Sequence, residues 1–141
     1  MLLADAAQVA EGKLYIMGGG WEVCGPEPTP MALAVKVEIP PSQVRRKHTW
    51  SVTLIDANGE PVLLPVDGEK STVAIQGEFG RIGEVKSAAT KGPVHLRFAV
   101  NIAPLPLEPG SSYAWRLAID NQTRRDWQAS FSTRPATAPT T

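Results

Sequence analysis

Three consecutive glycines followed by a tryptophan form the first stretch of the chain whose composition could bind a ligand. Glycine-rich loops hold phosphate groups when backbone N–H groups converge and the N-terminus of a helix follows. The residues after Gly19, Gly20 and Trp21 are Glu-Val-Cys-Gly-Pro, which do not indicate a helix. We therefore predict a strand end packed closely against Trp21, with a ligand-binding loop as the alternative.

Residues that bind metals or act as nucleophiles are few and widely spaced. His48 and His95 lie 47 positions apart, and Cys24 is the single cysteine. Tetrahedral metal sites use local pairs such as C-x-x-C or H-x-x-x-H, and neither occurs. We predict no metal, no cofactor and no enzymatic activity, with both histidines at the surface or rim and an inert, partly buried thiol. A metal or a buried histidine–carboxylate pair in the structure would contradict the prediction of a non-enzymatic protein.

Two basic segments lie beside aromatic residues and could bind an anion or single-stranded nucleic acid. Arg45 and Arg46 precede Trp50, and Arg124 and Arg125 precede Trp127. The alternation of side chains sends both tryptophans inward, which removes the stacking platform, so nucleic acid is an unlikely partner. The candidate binding surface is Gly19, Gly20, Trp21, Arg45, Arg46, Arg81, Lys86, Arg124 and Arg125.

Composition narrows the class of protein. The chain has 141 residues, 43% of them apolar, with 14 basic and 14 acidic residues, so its formal net charge is zero. Binding of nucleic acid or anionic membranes through bulk charge needs a basic protein, whereas a net charge near zero mildly favours association. The N-terminus lacks the basic region of a signal peptide, and no apolar run could cross a membrane. We expect a soluble, cytoplasmic protein.

Short alternating segments separated by glycine and proline predict an all-β fold. The strands are expected at 1–8, 13–18, 31–39, 48–56, 62–64, 73–79, 94–102, 113–119 and 127–131. An Asn58-Gly59 turn should join 48–56 to 62–64 as a hairpin, because both residues tolerate positive φ. Residues 1–133 form one domain in this scheme, and residues 134–141 form a disordered tail.

The outward faces of two predicted strands carry small apolar residues. Ala32 and Ala34 lie outward on 31–39, and Ala99 lies outward on 94–102. Such a flat surface suits close contact with another layer. We predict that an N-terminal hairpin, residues 1–18, covers this alanine surface. The alternative is that the surface is an oligomer interface.

The stretch from Leu107 to Tyr113, L-E-P-G-S-S-Y, resembles the tyrosine corner of fibronectin type III and other immunoglobulin-like domains. In that motif the tyrosine hydroxyl bonds to the backbone a few residues upstream. The resemblance implies an immunoglobulin-like Greek-key β-sandwich of about eight or nine strands, with an N-terminal β-hairpin. Loss of this bond in Tyr113→Phe is expected to cost about 1–3 kcal/mol.

Asp5 to Trp21, P-T-P-M-A-L-A-V-K-V and the L-P-L-E-P-G…Y-x-W-R stretch resemble an uncharacterised family of small bacterial domains common in actinobacteria. This resemblance implies no activity. We predict a non-enzymatic protein-binding or assembly module, whose partner is an unidentified protein or a second copy. The alternative is a small-ligand-binding protein or small enzyme with a pocket near Gly18–Trp21 and loop 80–92.

Overall fold

Two β-sheets packed face to face form the body of the protein in a computed structural model, which describes residues 1–79 and 94–136. The described strands are β1 (Leu2–Ala10), β2 (Lys13–Gly19), β3 (Val23–Cys24), β4 (Met31–Ile39), β5 (His48–Asp56), β6 (Leu63–Val66), β7 (Glu69–Thr72), β8 (Ala74–Phe79), β9 (Val94–Ile102), β10 (Ser112–Ile119) and β11 (Gln128–Thr133). The predicted all-β sandwich is confirmed. Its strands number eleven in this part of the chain rather than eight or nine, because β3 and β7 were not predicted.

The strand order separates the two layers. One sheet has the order β2-β1-β4-β9, the other has the order β3-β11-β10-β5-β8, and β6 and β7 form a separate ribbon. Neighbouring strands are antiparallel except β3, which runs parallel to β11. Each sheet is therefore assembled from segments distant in sequence.

The core lies where the inward faces of the sheets meet. Its largest fully buried side chains are Trp115, Leu33, Leu54, Val35 and Val52. Burying such a side chain is worth roughly 1.5–3 kcal/mol before conformational entropy is subtracted. The Trp115 indole Nε1–H points at the Met31 sulfur, 3.4 Å away, and links the sheets. The alternation predicted for β4 and β10 is confirmed on this inward side.

The first residues of β1 pair with β4 and belong to the first sheet. The rest of the N-terminal hairpin lies over the outer face of that sheet. Leu3 pairs with Leu33 in β4, whereas Ala7 packs on the outer face against Ala32 and Ala34. The amide of Asn101 in β9 fixes this position, because it donates to the Ala7 carbonyl at 2.8 Å and accepts from the Ala7 N–H at 3.3 Å. The predicted cover of the alanine face is confirmed.

The turn at Asn58-Gly59 forms as predicted, but the hairpin after it is short. The Asp56 carboxylate accepts from the N–H groups of Asn58 and Glu60, at 2.9 and 3.0 Å. The returning chain bridges β5 at Pro61 and bonds once more at Val62. After Val62 the chain leaves β5, and β6 pairs with β7. Most of the strand predicted at 62–64 as the partner of β5 therefore lies in the β6–β7 ribbon.

The turn before β10 is held by side chains on both sides. The Tyr113 hydroxyl accepts from the Glu108 N–H at 3.0 Å, which confirms the predicted bond. The Thr133 hydroxyl donates to the Glu108 carbonyl at 2.6 Å. Arg134 bonds through its own backbone to Cys24 and Gly110, so the predicted disordered tail was wrong at this residue. The end of that tail, 137–141, lies outside the described residues.

Replacing Tyr113 by phenylalanine should lower the free energy of unfolding by about 1–3 kcal/mol. The ring is only 8% exposed and would stay packed, so the loss falls on the Glu108 N–H, which would have no acceptor. Urea denaturation followed by tryptophan fluorescence measures the effect. Tyr15→Phe is the matched control, because Tyr15 is 47% exposed. Equal stability of Tyr113→Phe and wild type would contradict the role of the hydroxyl.

Candidate functional site

The residues predicted as one binding surface lie at two ends of the sandwich. Trp21 packs against Phe131, which pairs with Tyr113 at the start of β10. The arginine segments border Asp120, which follows the last residue of β10. The two ends are about 23 Å apart, given a rise of about 3.3 Å per residue. Arg81, Lys86 and loop 80–92 lie outside the described residues.

The glycine segment lies at the end of β2, and all three glycines are exposed. The Gly20 N–H donates to the Leu3 carbonyl at 2.7 Å, and Gly18 has φ +59°. A side chain at Gly18 would overlap the carboxylate of Asp5. Trp21 meets Phe131 edge to face, with 5.9 Å between ring centroids. β2 ends at Gly19, which confirms the predicted strand end, whereas its packing against Trp21 stays a prediction.

A shallow groove of about 470 Å³ lies beside this segment. Its lining consists of Asp5, Trp21, Val23, Cys24, Gly25, Pro26, Glu27, Thr29 and Arg134. Burial raises the pKa of the Cys24 thiol, while the charge of Arg134 opposes that effect, so the neutral thiol is favoured as predicted. The Arg134 guanidinium already donates to the Gly25 carbonyl at 3.1 Å. The groove therefore offers a ligand two carboxylates and a neutral thiol.

The two arginine segments do lie at the same end of the molecule. All four arginines are exposed. The guanidinium of Arg124 lies over the Trp127 ring, 5.4 Å from its centroid, and occupies the face on which a base would stack. Trp50 packs instead against Phe98, with 4.8 Å between centroids. The end is thus a solvated basic rim whose tryptophans already have partners.

His48 is not at the surface, so the prediction for this histidine was wrong. It is 3% exposed and lies against Phe79, with 5.1 Å between ring centroids. Its Nδ1 is 2.7 Å from the Asp120 carboxylate, and its Nε2 is 2.8 Å from the Gln43 carbonyl. Both partners only accept, so both contacts are hydrogen bonds when the ring carries two protons. His95 is exposed, as predicted.

The pair of His48 and Asp120 bears on the non-enzymatic prediction, which a buried histidine–carboxylate pair would contradict. Only the histidine of this pair is buried, because the Asp120 side chain is 44% exposed. A general base needs a ring nitrogen within reach of a substrate proton. Both nitrogens of His48 are bonded within the protein, and Phe79 covers the ring. Asp120 also accepts from the Thr49 N–H at 3.0 Å. Through these hydrogen bonds the pair joins the loop before β5 to the turn after β10. We refer to His48 and Asp120 together as the clamp.

The clamp shifts the pKa of each partner. Burial lowers the pKa of His48, but its hydrogen bonds to Asp120 and Gln43 outweigh this effect and raise the pKa above 6.5. The hydrogen bond from His48, followed by that from Thr49, holds the pKa of Asp120 below 3.8. Both shifts favour the ion pair, so the imidazolium and the carboxylate stabilise the fold together.

Neither a metal site nor a membrane helix occurs in the part of the chain that the structure describes. Within residues 1–79 and 94–136, no three His, Cys, Asp or Glu side chains are grouped closely enough to hold an ion. Across the same residues, no helix has the length and apolar character needed to span a bilayer.

The exposed apolar residues concentrate on β2, which the sequence did not single out. Met17 is 69% exposed, Tyr15 47% and Ile16 41%, and the three are consecutive. β2 forms one edge of its sheet, so one side of its backbone has no neighbouring strand among the described residues. Three large apolar residues in a row break the alternation of a half-buried strand, and that break was the available signal.

The other long edge strands, β8 and β9, carry charged side chains, whereas the part of β2 after Lys13 carries none. On β8, Glu78 forms an ion pair with Lys47 at 3.0 Å. On β9, His95 and Arg97 lie outward. Charged side chains and proline protect sheet edges from pairing with another strand. Between Leu14 and Gly19, β2 has neither.

Family membership follows from a match that covers most of the chain. A model of DUF6941, a family of unknown function, matches residues 1–130. The chain belongs to this family. No curated protein and no solved structure matches it. Nothing known of the family assigns a role to β2, the groove or the clamp.

The clamp predicts a dependence of stability on pH. His48 contributes fully below 6.5 and loses its contribution as the pH rises through its raised folded-state pKa. Asp120 contributes above 3.8 and loses its contribution as the pH falls through its lowered pKa. The melting temperature of the wild type should therefore decrease as the pH rises from about 6.5 through the raised folded-state pKa of His48.

His48→Gln should flatten this part of the melting-temperature profile, whatever its effect on overall stability. His95→Gln is the control, because that side chain is exposed and should leave the slope unchanged. Differential scanning fluorimetry across the pH series measures both variants. A wild-type slope retained in His48→Gln would mean that another group causes it.

Proposed function

We propose that this protein is a non-enzymatic protein-binding or assembly module whose binding site is the free edge of β2. The observation that carries the proposal is that Tyr15, Ile16 and Met17 are exposed on a strand edge that pairs with no other strand among residues 1–79 and 94–136. An extended segment of a partner could add to the sheet there. Backbone hydrogen bonds would supply affinity, and contacts with the three side chains would supply specificity.

The hairpin geometry supports this proposal, because it holds β2 in position before a partner arrives. Glu11 and Gly12 have φ of 52° and 73°, as a tight two-residue turn requires, and close Ala10 against Lys13. Asn101 anchors the other strand of the hairpin at Ala7. A preordered edge loses less conformational entropy on binding than a flexible segment does.

A non-enzymatic role is supported by the state of the reactive side chains. Both ring nitrogens of His48 have partners in the fold. The pKa of the Cys24 thiol is raised, which disfavours the nucleophilic thiolate. In the groove beside Trp21, the Arg134 guanidinium already donates to the Gly25 carbonyl. These features leave the β2 edge as the better-supported site.

We further propose that the sandwich is of the immunoglobulin-like Greek-key type. Two features support this: β3 lies parallel to β11 at the edge of its sheet, and the Tyr113 hydroxyl bonds back to Glu108. In such sandwiches the strand edges and loops are the usual places for binding, which agrees with the role proposed for β2.

Site-specific photo-crosslinking tests the proposed site. A benzophenone amino acid at position 17 should crosslink a protein in extract of the native host, and the same group at position 63 should not. Leu63 is the matched control, since it is 53% exposed and lies on β6, away from the hairpin. Mass spectrometry of the crosslinked peptide should place the partner beside β2. Equal crosslinking at both positions, or none at position 17, would contradict the proposal.

A further inference from the structure

We infer that the partner strand is β2 of a second copy of this chain, so that two first sheets join into one continuous antiparallel sheet across a two-fold axis. This inference rests on the proposed function, because it names the occupant of the same edge. An antiparallel strand edge can pair with itself, and isologous pairing gives a closed dimer. The composition and geometry of β2 favour this occupant.

The turn determines which backbone groups of β2 face outward. In a hairpin with a two-residue turn, the residues that flank the turn form a hydrogen-bonded pair, and such pairs alternate with non-hydrogen-bonded ones. Ala10 pairs with Lys13 and Gln8 pairs with Tyr15, so Lys13, Tyr15 and Met17 point their N–H and C=O groups at β1. Leu14 and Ile16 point theirs at the free edge.

The N–H and C=O groups of Leu14 and Ile16 determine the register in which two β2 strands can pair. Placing the two-fold axis at Tyr15 sets Leu14 of each copy opposite Ile16 of the other, and the two pairs make four backbone hydrogen bonds. An axis at Ile16 would instead need the groups of Gly18, whose φ of +59° turns the backbone out of the strand conformation. The Tyr15 register uses only the regular part of β2.

The side chains fit the same register. Two Tyr15 rings face each other at a non-hydrogen-bonded pair, where side chains approach most closely. Each Lys13 lies opposite Met17, which is 69% exposed and flexible enough to pack along the lysine stem. The two Lys13 charges then lie about 13 Å apart at a rise of about 3.3 Å per residue.

The absence of opposing charge makes a second copy a suitable partner. Lys13 is the only Lys, Arg, Asp or Glu residue of β2, and the whole chain has a formal net charge of zero. Two copies therefore meet without like charges opposed at the edge and without long-range repulsion. A strand of this length buries less than the ~1,600 Å² of a standard interface, so the dimer should be reversible and concentration-dependent.

Light scattering after size exclusion, across a dilution series, tests the assembly. The wild-type mass should rise with concentration from 15.1 kDa towards twice that value. Met17→Lys should stay at the monomer mass, because it places a second lysine opposite Lys13. Leu63→Lys, the same kind of change on β6, should behave as wild type. A wild type that stays monomeric up to millimolar concentration would overturn the inference.

Cysteine crosslinking tests the register in a Cys24→Ser background. The Cα atoms of a non-hydrogen-bonded antiparallel pair are about 4.5 Å apart, within the range that a disulfide spans. Tyr15→Cys should therefore form covalent dimers rapidly under mild oxidation, whereas Met17→Cys and Leu63→Cys should form them slowly. Equal rates at positions 15 and 63 would overturn the proposed pairing even if a dimer exists.

The outcomes separate the two proposals. A monomeric wild type whose position 17 still crosslinks a different protein would overturn the second copy and keep the β2 edge as a binding site. A monomer without crosslinks at position 17 would overturn both. A dimer that persists unchanged in Met17→Lys, with slow disulfide formation at position 15, would place self-association on another surface.

Discussion

A layer of alanines between the sandwich and its N-terminal hairpin is the constraint on which the presentation of β2 depends. Ala32 and Ala34 are almost fully buried and, with Ala99, let the hairpin approach the sheet closely. Asn101 uses that proximity to satisfy both backbone groups of Ala7. A larger side chain in this layer would lift the hairpin and lose both bonds. The position of the proposed edge therefore depends on residues that lie beneath the hairpin.

Different interactions stabilise the core of the sandwich and its two ends. Trp115, Leu33 and Leu54 stabilise the middle through burial. At one end the Tyr113 hydroxyl holds the turn before β10, and at the other the ion pair of His48 and Asp120 holds the turn after it. Polar groups therefore act where strands end and backbone partners are lost.

Strands with strict alternation could be predicted to the residue, as for 31–39, 48–56 and 94–102, because prolines or turns bound them and large apolar residues alternate along one face. The two-residue β3 could not, since its pairing with β11 arises only in the folded chain. The prediction that His48 lies at the surface failed for a different reason. Alternation places it on the same face as Trp50 and Val52, but its polarity suggested the surface, and the carboxylate that makes burial possible lies 72 residues away.

The proposed site on β2 was not predicted for a related reason: glycines and arginines suggest chemistry in a sequence, whereas being at the edge of a sheet is a property of the whole fold. The most direct test of the β2 edge is amide hydrogen exchange at residue resolution, in dilute and concentrated protein. In dilute protein the Leu14 and Ile16 amides should exchange fast, while Tyr15, bonded to β1, is protected. Concentration should slow exchange at Leu14 and Ile16 while leaving Tyr15 unchanged. Exchange at Leu14 and Ile16 that is independent of concentration, or already slow in dilute protein, would contradict a free edge that pairs with a second copy.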